Sequence, residues 1–154
     1  MAKSGSKKPD GPAAIVNRRA RYDYEILSTY EAGIALEGSE VKSVFRGQVN
    51  LSGAYCRVDE GEAWLYDMDI APYEKAGSYA PERQRKRKLL LHKKEIELIR
   101  RRSEERGLAL IPTRVYFQNR RVKVEISIAR GRRQYDKREK IDAKTARRES
   151  ESGD

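Results

Sequence analysis

Cysteine, histidine and tryptophan each occur once in the 154 residues, and phenylalanine only twice. The single cysteine, Cys56, excludes an internal disulfide and fits a protein kept reduced in the cytoplasm. In its strand-like surroundings it reads as a packing residue rather than a reactive thiol. One histidine, His92, and one cysteine cannot assemble a zinc site from the usual ligands. No apolar run approaches the ~20 residues that a membrane-spanning helix needs, and no secretory signal is expected at the N-terminus. The phosphate-cradling motifs G-x-x-x-x-G-K-[ST] and G-x-G-x-x-G are missing, as is the nucleophile elbow G-x-S-x-G. No metal, cofactor or catalytic role is expected.

Charge is abundant, and it is segregated. The net +10 divides into +5 over residues 1–22, −7 over 23–81, +4 over 82–88, +5 over 89–128 and +3 over 129–154. An acidic first half followed by basic segments points to a basic face and flexible arms directed at a polyanion.

The pattern along the chain sets the organisation. Residues 1–14 are Ser, Gly, Pro and Lys with little apolar content, and are expected to be a disordered basic N-terminus. Order should begin near Ile15. Tyr22-Asp23-Tyr24-Glu25-Ile26-Leu27 reads as a strand that runs loosely to a turn at Glu31-Ala32-Gly33. Val41, Val44 and Phe45 at helical spacing, with Ser39 as N-cap and Gly47 as terminator, predict a helix over 39–46. Strands are expected over 50–58 and 63–70, joined by a hairpin at Asp59-Glu60-Gly61-Glu62 and ended by Pro72. Residues 73–88 read as a loop carrying the run Arg83-Gln84-Arg85-Lys86-Arg87-Lys88.

Leu89-Leu90-Leu91 precedes a helix in which Ile96 and Ile99 face the core, Arg100, Arg101 and Arg102 lie on the opposite side, and Gly107 closes. His92 and Glu95 have capping-box spacing. Strands over 108–117 and 122–129 follow, the second alternating apolar and polar without a miss. Five to six antiparallel strands with a helix before the last pair predict a mainly β domain over 15–130. The expected form is an OB-type closed antiparallel barrel with about three flanking helices. Residues 131–154 are basic and helix-permissive, with almost nothing to form a core. They are expected to be a flexible tail that becomes helical only against a partner.

Acidic pairs are the only residues that suggest catalysis. Asp67 and Asp69 would share one strand face and could hold Mg²⁺ in a nuclease. A solvent-facing side of a half-buried strand explains them better.

Six stretches together carry a resemblance. They are Asn17-Arg18-Arg19-Ala20-Arg21-Tyr22-Asp23-Tyr24, Glu31-Ala32-Gly33-Ile34-Ala35-Leu36, Gly38-Ser39-Glu40-Val41-Lys42-Ser43, Val49-Asn50-Leu51, Arg87-Lys88-Leu89-Leu90-Leu91-His92, and Ala129-Arg130-Gly131-Arg132-Arg133-Gln134-Tyr135-Asp136-Lys137-Arg138. In this order and spacing the chain resembles the SmpB family, the tmRNA-binding proteins of bacterial trans-translation.

The resemblance implies binding to the tRNA-like domain of tmRNA and entry into the vacant A site of a stalled ribosome. There the tail would read the small-subunit decoding centre and the empty mRNA channel. It also implies a complex with alanyl-tmRNA and elongation factor Tu, with no membrane partner. Asn17, Glu31 and Leu90 match tmRNA-binding positions of the family. Arg18, Arg19, Arg21, Tyr24, Lys42, Arg46, Lys88, Leu91 and His92 join them as RNA-binding candidates. Gly131, Arg132, Arg133, Tyr135, Asp136, Lys137, Arg138 and Ile141 match the ribosome-reading tail. Three departures stand out: Phe45 occupies the place of a usual Arg, His92 that of a common Asn, and Tyr135 that of a common His. A general ribosome-associated OB-fold protein is the alternative reading.

Lys and Arg contacts to phosphate would give a log–log salt slope of about −0.7 to −0.9 per contact. Glu31 would repel phosphate, so it belongs at an RNA surface only if it accepts hydrogen bonds from base edges or holds a basic side chain.

Overall fold

In the computed structural model, which describes residues 12–131, nine strands and three α-helices build a mainly β domain. Seven strands form one antiparallel sheet in the order β1-β8-β9-β2-β7-β5-β4. They are β1 (Ile15–Val16), β2 (Tyr24–Ile34), β4 (Tyr55–Asp59), β5 (Glu62–Tyr66), β7 (Arg87–Leu90), β8 (Leu108–Gln118) and β9 (Arg121–Gly131). A separate two-stranded ladder joins β3 (Val49–Asn50) to β6 (Asp69–Ile70). The expected closed barrel is not what these ladders make. β4 approaches β8 across the core, but among the described residues no hydrogen-bonded ladder joins them, and the sheet stays open there.

Alternation decides the faces. Cys56, Ala63, Leu65, Leu89, Val115, Val122, Val124 and Ile126 point inward and are buried, and they form one core with Ile96 and Ile99 of α3 (Lys93–Ser103). Burial pushes the Cys56 thiol far above its usual pKa, which leaves it a packing group.

β2 corrects the sequence reading twice. Glu31-Ala32-Gly33 is not a turn, because the strand continues to Ile34, paired with β9 through Gly33 and with β7 at Gly33 and Ile34. Two neighbouring ladders outweigh the turn preference of one glycine. The strand also starts later than expected, because Arg18–Asp23 forms a short helix, α1. Asn17 caps it: its Oδ1 accepts from the Ala20 N–H at 3.0 Å, and its Nδ2 donates to the carbonyls of Pro112 (2.8 Å) and Leu51 (3.2 Å). Ala20 then packs on Ile111 and Ala129 in a small second core.

α2 spans Gly38–Phe45 and is capped at Glu37, not Ser39. Glu40, in its first turn, accepts from the Glu37 N–H at 3.0 Å. The left-handed φ of +75° at Gly47 lets the chain leave the helix as expected. In α3 the anticipated capping box forms, with the Glu95 carboxylate accepting from the His92 N–H at 3.3 Å. Arg102 departs from its expected solvent side: it donates to Ser28 Oγ at 2.6 Å and Tyr30 Oη at 3.2 Å and ties α3 to β2.

The segment expected to be a loop contains a 3-10 helix (Glu74–Tyr79) and strand β7, which pairs on both sides. Its basic run is not a free cationic face. Arg83 pairs with Asp69 (2.9 Å), Arg85 and Arg87 with Glu40 (2.6 and 2.7 Å), and Lys88 with Glu62 (2.8 Å). Arg87 is wholly buried. Asp67 does not share a strand face with Asp69. It sits at φ +64° in the turn after β5, and Asp69 faces Arg83.

Candidate nucleic-acid interface

The outward row of the central strands builds the main site. Where Gly33 lies opposite Leu90 on β7 and Lys123 on β9, it has no side chain to stand between them. A Cβ at Gly33 would meet the Leu90 Cβ at 3.3 Å, so the bare backbone is what lets Leu90 approach. The result is an open groove of about 620 Å³. It brings together five of the anticipated residues, Glu31, Lys88, Leu90, Leu91 and His92. Leu90 is 52% exposed and presents an apolar side chain on the groove wall.

Glu31 is exposed on the groove wall and lies directly opposite Glu125 in the ladder. Two facing carboxylates would repel, and their neighbours offset this. Tyr116 Oη donates a short hydrogen bond to Glu31. Thr113 Oγ1 donates to Glu125 at 2.7 Å, and Arg114 lies 3.5 Å from it. Burial, with the Glu31 carboxylate adding to it, raises the Tyr116 phenol well above its usual pKa, so it remains a donor. The arrangement leaves a Glu31 carboxylate held in place at the surface, able to accept hydrogen bonds from a ligand.

The other anticipated residues do not join this groove. Asn17, Arg19 and Tyr24 line a separate hollow of about 290 Å³, while Arg18 and Arg21 project from α1 into solvent. The side chain of Asn17 is engaged in capping and bridging, so it sets the position of those arginines from within the fold. Lys42 and Arg46 are exposed on α2, 5.7 and 4.9 Å from the centre of the Tyr73 ring. Phe45, 55% exposed, rests edge-on against Phe117 at 5.6 Å. Gly131 ends β9 opposite Tyr24. Arg132, Arg133, Tyr135, Asp136, Lys137, Arg138 and Ile141 lie outside the described residues.

Three cations were not singled out from the sequence. Lys123 lines the groove, and Arg120 and Arg121 line an adjoining hollow with Leu90 and Gly33. Alternation in Val122-Lys123-Val124 does turn Lys123 outward, but nothing local shows that β2 and β7 lie beside it. Among the described residues no group of three or more His, Cys, Asp or Glu gathers as a metal site, and no helix is long and apolar enough to cross a membrane.

Comparison with known proteins agrees over most of the chain. The family described as "SmpB protein" matches residues 14–153. An SsrA-binding protein of Roseiflexus sp. (strain RS-1) is 57% identical over 136 residues, covering 88% of this chain and 86% of the relative. One from Carboxydothermus hydrogenoformans is 47% identical and covers 88% of this chain and 91% of the relative. A solved structure described as "tmRNA-SmpB: a journey to the center of the bacterial ribosome" superposes with a TM-score of 0.66 at 52% identity, covering 77% of this chain and 83% of that one. None of these descriptions names a catalytic activity.

Proposed function

This chain belongs to the SmpB family, and from that membership we propose that it is a tmRNA-binding factor of trans-translation. It binds the tRNA-like domain of tmRNA and delivers it to the A site of stalled ribosomes, in company with alanyl-tmRNA and elongation factor Tu. It acts in the cytoplasm and carries no catalytic site.

The observation that carries this reading is the groove that gathers Glu31, Lys88, Leu90, Leu91 and His92 on one outer face of the sheet. The fold reads as an OB-type, partly open barrel, an architecture whose outer face suits nucleic acid. Lys123 offers a cation at the groove for phosphate, and Lys88, part-exposed in its surface pair with Glu62, can exchange that partner for a second. Leu90 offers an apolar contact to a base or sugar, and Glu31 accepts from base-edge donors. Arg18, Arg19 and Arg21 on α1, and Lys42 and Arg46 on α2, extend the cationic surface. The C-terminal tail, residues 131–154, reads the decoding centre and the mRNA channel.

A transcript of the tRNA-like domain is expected to bind at least about tenfold more tightly than a tRNA of matched length, a difference of roughly 1.4 kcal/mol. Equal affinities in a filter-binding assay would return the chain to the wider class of ribosome-associated RNA-binding proteins. Within the groove, Tyr116→Phe removes only the phenol that holds Glu31. A hydrogen bond of this exposure is worth about 0.5–1.5 kcal/mol, so affinity should fall roughly two- to tenfold. Adding Tyr116→Phe to Glu31→Gln should then cost little more than Glu31→Gln alone. Full additivity of the two would show that the phenol does not act through the carboxylate.

A further inference from the structure

The outward row does not stop at the groove. Lys88 lies opposite Trp64 on β5, Trp64 lies opposite Arg57 on β4, and Tyr66 lies opposite Tyr55. All five alternate with buried neighbours and so share the outer face on which Leu90 and Glu31 stand. The Tyr55 and Tyr66 rings stack at 5.1 Å and 8°, and Lys86 Nζ sits 4.4 Å from the centre of the Trp64 ring. Tyr55 is 38% exposed. From β7 to β4 is two strand spacings, about 10 Å, so the strip continues the groove wall rather than forming a distant patch.

We propose that this strip, Trp64, Tyr55 and Tyr66 flanked by Lys86, Lys88 and Arg57, is a second RNA-contact surface that stacks unpaired bases of the RNA held in the groove. The proposal rests on the RNA-binding reading above and extends it to residues outside the groove. A partly exposed cluster of rings beside cations is a platform on which a flexible, unpaired RNA segment can add a base to the Tyr55–Tyr66 stack. Stacking tolerates any base, and the cations follow the backbone.

Charge sets the direction of the track. Glu62 is paired to Lys88 at 2.8 Å, and Asp59 stands at the hairpin end beside it. The bases therefore lie toward the Tyr55–Tyr66 end, where the facing charge is Arg57 and Lys86. Continuity with the groove favours RNA over a protein partner, because Leu90 and Trp64 stand on directly paired strands, with Lys88 opposite Trp64.

Trp64 is the only tryptophan of the chain, so the intact protein reports on its own strip. Titration with a transcript of the tRNA-like domain is expected to quench Trp64 emission and to shield it from acrylamide, with the midpoint that a filter assay gives for binding. Tyr55→Ala should weaken binding about fivefold or more without changing the salt slope, because stacking releases no counterions. Arg57→Gln should instead reduce the slope by roughly 0.7–0.9, one phosphate contact. A transcript that binds fully while Trp64 emission and acrylamide access stay unchanged overturns the second surface and leaves the groove reading intact. A transcript that does not bind at all overturns both.

Discussion

Ending the chain at Gly131 is expected to abolish peptide tagging on stalled ribosomes while leaving affinity for the tRNA-like domain within about threefold. Gly131 pairs with Tyr24 at the end of β9, so among the described residues the cut removes no strand pairing. Residues 132–154 hold eight Lys or Arg against six Asp or Glu, a net +2 of the total +10. The long-range attraction to RNA therefore survives mostly intact. What is lost is the segment that carries the proposed ribosome-reading residues, Arg132 to Ile141. Tagging in a reconstituted translation reaction and filter binding of the transcript separate the two effects. If the truncated chain melts like the full one but no longer binds the transcript, the division of labour between domain and tail is wrong.

Much of the domain was legible because its signals are local. The strand Val122-Lys123-Val124-Glu125-Ile126-Ser127-Ile128 alternates, and it forms the middle of β9. Ile96 and Ile99 are one helical turn apart and both are buried in α3. β7 was missed for a different reason. Arg87-Lys88-Leu89-Leu90 does alternate, but its inward residue at one position is an arginine, which no local pattern reads as core. Its partner, Glu40, lies 47 residues away. α1 was missed because only Ala20 of its six residues is buried, too few to show a period. The usable signal was Asn17, a good N-cap residue directly before Arg18. The groove itself followed from strand pairing. Leu90 and Glu31 were marked by family likeness, whereas Lys123 and the Trp64 strip appear only once β9, β2, β7, β5 and β4 lie in order.

Glu40→Ala should be the most damaging single substitution in the domain. The Glu40 carboxylate, 3% exposed, receives Arg85 at 2.6 Å and the buried Arg87 at 2.7 Å. Truncating it strands the guanidinium of Arg87 in a dry site, a change that costs about 3–5 kcal/mol. Against a typical total of roughly 5–15 kcal/mol that is a large share, and each kcal/mol lowers Tm by several degrees in a domain of this size.

Acid should act on the same group. Burial raises the Glu40 carboxyl, but hydrogen bonds from Arg85, the Glu37 N–H and Arg87 together outweigh it, so the pKa lies below its ordinary value of 4.5. A carboxyl lowered on folding stabilises the fold at pH above 4.5, and that contribution disappears as the pH falls through the folded value. Arg87 keeps its charge throughout, because a guanidinium does not lose its proton in this range. Glu40→Gln should therefore show a flatter stability–pH curve below 4.5 than the natural chain. Replacing both members, Glu40→Leu with Arg87→Met, should recover only part of the loss. Arg87 also donates to the carbonyls of Met68 (2.7 Å) and Arg83 (3.0 Å), and these would be left without that donor. Urea unfolding of the three variants tests the account, and a Glu40→Ala chain within about 1 kcal/mol of the natural one would remove this ion pair from the list of what holds β7 in the sheet.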